Sequence, residues 1–108
     1  MAYAADIRTG VNDVIAAFGE SVTILDKTDA TRTVTMAPIA VPGDNEQLVN
    51  AIGIGGKVFY MRGTDTPPDK FDILTLTSVP GMKYTVIEKP EPYIVAGSIV
   101  GYEILGKQ

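Results

Sequence analysis

The apolar residues change period at Gly19, and that switch limits the chain to one helix followed by strands. Before it, Ile7, Val11, Val14, Ile15 and Phe18 fall at spacings of four, three, one and three, a single stripe at the helical repeat. The pattern predicts a helix over 6–18, with Asp6 at the N-cap or first turn and Gly19 as the C-terminal cap. Gly10 in its interior costs about 1 kcal/mol relative to alanine. So short a helix is marginal alone. It has to dock, either on its own domain or on a neighbouring subunit.

After Gly19 the period is two. Strands are predicted over 21–26, 32–41, 57–62, 71–77, 83–88 and 98–105, separated by turn-forming residues. Val34 and Met36 share one face of the second strand, and Pro38 there requires an edge position or a bulge because it cannot donate to a ladder. Pro80-Gly81 suits the central positions of a type II turn, and the last strand is entered through Pro90, Pro92 and Gly97. About six short strands of this kind predict a mainly β chain, a small antiparallel β-barrel or sandwich over 21–105 behind one N-terminal α-helix. At 108 residues the chain is expected to be a single domain, 1–108.

A long central loop, 42–56, breaks the rhythm. Asp44 and Gln47 have the spacing of a capping box, which puts Leu48 and Ile52 on one face of a helical turn or two. Loops of this length are usually functional. Leu48, Val49, Ile52 and Ile54, with Ile7, Val11, Val14 and Phe18 on the helix, are the candidate contact residues.

The chain contains neither cysteine nor histidine. Disulfides and thiolate metal sites are thereby excluded, and the commonest general base is absent. Gly53-Ile54-Gly55-Gly56-Lys57 fails the phosphate-loop pattern, because Val58 follows the lysine and no strand–loop–helix order surrounds it. Asp65, Asp69 and Asp72 lack calcium-loop spacing, with Pro67-Pro68 between them, and read as a solvated turn. Glu88, Glu91 and Glu103 could pair as catalytic carboxylates only in a cleft that a domain this small has little room for. Tyr60, Tyr84, Tyr93 and Tyr102 lack the interleaved arginines of a nucleic-acid stacking platform and read as core or rim. No catalytic, cofactor-binding or metal-binding residue is predicted, and the chain is not expected to be an enzyme.

The net charge is −4. Residues 1–56 hold Arg8, Lys27 and Arg32 against seven acidic side chains, and the rest is balanced. Without a basic stripe the chain is a poor binder of nucleic acid, yet an acidic surface can line a passage through which DNA slides. The N-terminus has no signal-peptide character and no stretch is long enough to span a bilayer, so a cytoplasm-like compartment and no membrane are expected.

Several features fall in a familiar order. Ala16-Ala17-Phe18-Gly19 closes the helix, Ser21-Val22-Thr23-Ile24 opens the strands, and an apolar-containing loop follows. Asp72-Ile73-Leu74, Lys83-Tyr84-Thr85-Val86-Ile87 and Val100-Gly101-Tyr102-Glu103-Ile104-Leu105 complete the chain. In this order the sequence resembles the head–tail joining (head completion, or stopper) proteins of long-tailed bacteriophages. Phe71 stands where that pattern has glycine. The resemblance implies a structural virion protein, made in the host cytoplasm, that forms a homo-oligomeric ring of twelve or six copies. Such a ring sits between portal or adaptor proteins above and tail proteins below, and DNA passes through it without sequence-specific binding. Loop 48–56 would face the lumen or a neighbouring ring. A tail-completion or tail-terminator ring protein, or a small β-barrel binding module, is the alternative.

Overall fold

The computed structural model describes residues 3–40, 50, 53 and 55–108, with side-chain surroundings from residue 10 onward. Helix α1 spans Tyr3–Phe18 and is followed by strands β1 (Glu20–Leu25), β2 (Thr31–Ala40), β3 (Lys57–Arg62) and β4 (Ile73–Leu76). Strands β5 (Lys83–Val86), β6 (Glu91–Val95) and β7 (Ser98–Lys107) complete the chain. Helix α1 begins at Tyr3, so Asp6 falls in its first turn and not at its cap. Gly19 donates its N–H to the Ile15 carbonyl at 2.6 Å but does not take the left-handed conformation of a capping glycine. The chain runs straight from that hydrogen bond into β1, which needs extended backbone.

Every strand pairing is antiparallel, and six strands close in the cyclic order β1–β2–β3–β7–β5–β4. Closure leaves no sheet edge within that ring of strands. Strand β7 is long enough to take two partners on one side: β5 pairs with Thr85↔Lys107 and Val86↔Gly106, and β6 pairs along residues 98–103. The interior is filled from alternate positions, as the two-residue repeat dictates. Val22, Ile24, Met36, Phe59, Met61, Leu74, Leu76, Tyr84, Val86 and Ile104 form one buried cluster, with Val34 and Tyr102 packed against it. At its centre the Phe59 and Tyr84 rings meet edge to face, 5.4 Å between centroids at 69°. Full burial of each such side chain contributes about 1.5–3 kcal/mol.

Three local expectations are corrected. Strand β6 was not foreseen. It is an edge strand, where Pro92 is tolerated because among the described residues only β7 bonds to it. Ala96 and Gly97 link it to β7 with φ of 50° and 80°, the two positive values of a type I′ hairpin turn. At 79–82 the Met82 N–H reaches the Val79 carbonyl at 3.0 Å, but Gly81 lacks the positive φ of a type II turn. The predicted strand 71–77 starts only at Ile73, because Phe71 turns the chain at φ 74°. Pro38 meets the expectation in a local sense. It pairs with Phe59, but β1 ends opposite Met36, so among the described residues β2 has no strand partner on its other side at Pro38.

Candidate interaction surface

Helix α1 lies across the outside of the barrel, over β2, β3, β7 and β6. Small residues beneath it permit the close approach: Ala37 is fully buried, and a Cβ on Gly101 would come 3.1 Å from Val11 Cγ1. Ile15 is the docked residue of the helical stripe, 1% exposed, and Val11 is half-buried. Val14 and Phe18 are not covered: they remain 44% and 66% exposed. The helix thus docks on its own barrel with part of the stripe, leaving Val14 and Phe18 in solvent. Of the other candidate contact residues, Leu48, Val49, Ile52 and Ile54 lie outside the described residues, as does the side chain of Ile7.

Where α1 passes β6 and β3, a groove of about 460 Å³ opens, lined by Gly10, Val11, Val14, Tyr60 and Tyr93 among the described residues. Its walls are almost wholly apolar, and one polar chain runs along its floor. The Tyr93 hydroxyl donates to Glu103 Oε2, and Tyr60 is hydrogen-bonded to Tyr93. Strand register produces this convergence. Glu103 of β7 sits opposite Tyr60 of β3 on one side and Glu91 of β6 on the other, while Tyr93 sits opposite Gly101. Glu91 and Glu103, weighed separately in the sequence as catalytic carboxylates, are therefore cross-strand neighbours. They concentrate negative charge on an outer surface, and Glu88 lies beyond the strands.

Burial first, and then the Glu103 carboxylate, raise the Tyr93 and Tyr60 hydroxyls above the ordinary tyrosine value of 10.0. Tyr84, inside the barrel, is raised by burial alone. A pKa raised in the folded state stabilises fully below the unfolded value and is lost as pH climbs past it. The fold is accordingly expected to weaken above about pH 10. Denaturant midpoints measured from pH 8 to 12 check this. Tyr93→Phe, which removes the hydroxyl displaced furthest, should flatten the decline.

Other sequence candidates fall apart in space. Tyr84 is core, Tyr102 packs against the core from the rim, and Tyr60 and Tyr93 flank the groove, so the four tyrosines form no common stacking platform. Lys57 opens strand β3, so no helix follows the glycines before it. The 65–72 segment is not simply a solvated turn. Asp72 is 3% exposed, its Oδ2 accepts the Asp69 N–H at 2.8 Å, and its Oδ1 has no partner among the described residues. A second recess of about 530 Å³ lies at the barrel end beside the ends of β2 and β3, where Phe18, Ile39 and Val79 are exposed. Sequence reasoning missed the groove because its floor comes from three strands, and it missed the exposure of Phe71, which it placed within a strand.

No protein-family model, no curated protein and no solved structure matches this chain.

Proposed function

We propose that this chain is a structural virion protein. It forms a ring at the head–tail interface that closes the DNA-filled head and presents the surface on which the tail docks. The observation that carries the reading is the uncovered part of the helical stripe. A closed barrel has no use for apolar helix residues such as Val14 and Phe18 that stay wet, whereas a subunit in a ring covers them with its neighbours. The acidic surplus supports it as well: a charge of −4 without a basic stripe suits a passage for DNA that must not adhere. Helix α1 and segment 42–56 make the inter-subunit and inter-ring contacts in this reading. No step of chemistry is assigned to any residue.

Fractionating the virus particles produced by the source of this chain tests the assignment. The chain is expected to remain with DNA-filled, tailless heads when mass spectrometry identifies the proteins of each fraction. Recovery with free tails alone would favour a tail-completion ring, and absence from both fractions would remove the virion reading.

A further inference from the structure

Helix α1 is laid on the outside of a barrel that closes without it. The described core cluster comes wholly from strands, and the ring of strands is completed by ladders among β1, β2, β3, β7, β5 and β4. Among the helix residues whose surroundings are described, Ile15 is the one that is fully covered.

Three features loosen this seat. Asn12 lies one turn before Ile15, and its Oδ1 is buried with no hydrogen-bond partner among the described residues. An unpaired buried acceptor carries its desolvation cost for as long as the helix stays docked, and recovers water when the helix leaves. Gly10 weakens the helix without being demanded by the packing, since among the described residues a Cβ there would meet nothing within 4 Å. The groove of about 460 Å³ runs beside Gly10, Val11 and Val14, so that flank of the helix faces open space and forgoes packing.

The joint to the barrel is one residue long. Gly19 alone separates α1 from β1, whose pairing with β2 begins at Glu20↔Met36. A glycine at that point lets the backbone turn without steric cost. The barrel end of the joint is thus anchored in a ladder, and the helix end is held by surface contacts.

We propose that helix α1 is a releasable strap. It leaves the barrel as one unit about Gly19 while the closed ring of strands stays folded, and its departure uncovers the outer face around Ala37, Tyr60 and Gly101. In the ring reading above, that face and the freed helical stripe become contacts for a neighbour. The release itself does not depend on that reading.

Native-state hydrogen exchange of the full chain, followed by NMR, decides it. A helix this short is marginal on its own, so each release opens its amides to solvent. The amides of residues 12–17 should share one protection factor, at least about 100-fold below those of Val22 and Phe59. Both of these reference residues lie between two strand partners. N12L removes the orphaned oxygen and should raise protection in the helix about 10-fold. I15D places a charge at the docked position and should release the strap for good: residues 12–17 lose protection while Val22 and Phe59 remain protected. Helix amides that exchange together with the barrel would overturn the proposal. So would protection that climbs steadily along the helix, which is fraying from one end, an N12L helix no better protected than wild type, or an I15D chain that unfolds throughout. A strap that releases in a chain absent from virus particles would uphold the device and remove the virion reading. A chain found on heads whose helix exchanges only with the barrel would do the reverse.

Discussion

Truncating Phe59 to alanine is expected to lower the unfolding free energy by about 3–5 kcal/mol. The ring is fully buried and packs edge to face against Tyr84, so its removal leaves a cavity bounded on every side by the closed barrel. A six-stranded closed wall cannot collapse inward without breaking ladder hydrogen bonds, which keeps the cost near the upper end. A domain of this size has only about 5–15 kcal/mol to lose. The same truncation at Phe71, 60% exposed, should change stability by no more than about 0.5 kcal/mol, since alanine keeps the Cβ that strains the backbone there. Urea denaturation of the two variants beside wild type checks both values. Equal losses would mean that the barrel interior is not where stability resides.

Deleting residues 44–55 is expected to leave the barrel folded and to abolish assembly. The ends of the deleted segment are already neighbours: Ala40 pairs with Lys57 in the β2–β3 ladder. After the deletion Val41, Pro42, Gly43 and Gly56 remain to join them, the length of an ordinary hairpin loop. The core cluster of the described residues is built from the strands on either side of the segment. The circular dichroism spectrum and melting temperature should therefore stay close to wild type, while infectious particles fall to background. Normal assembly and tail joining with this deletion would show that the segment makes no essential contact.

The elements that could be read from the sequence are those whose signal is local. The switch of period at Gly19 located the helix-to-strand boundary, and β1, β2 and β3 each fall within a residue or so of expectation because one face of each is buried. Strand β6 was hidden by Pro90 and Pro92, which forbid a central strand but not an edge. Its turn was hidden too, because Ala96 takes a left-handed conformation normally left to glycine or asparagine. The surface was only partly legible. Val14 and Phe18 announce an apolar stripe, but nothing local says that Ile15 is the residue that docks. The joining of Tyr60, Glu103 and Tyr93 depends on the register of three strands distant in sequence. Phe71 shows the same gap from the other side: it was read as the start of a strand, and the turn between Asp69 and Val86 holds it exposed instead.

A ring at the head–tail interface fixes how many copies each particle carries. Quantitative mass spectrometry of purified, DNA-filled particles, with isotope-labelled chain as the internal standard, gives that number. The expected result is six or twelve copies per particle, the same in tailless heads as in complete virions. One or two copies, a number in the hundreds, or copies found only after tails have joined would contradict a head-closing ring.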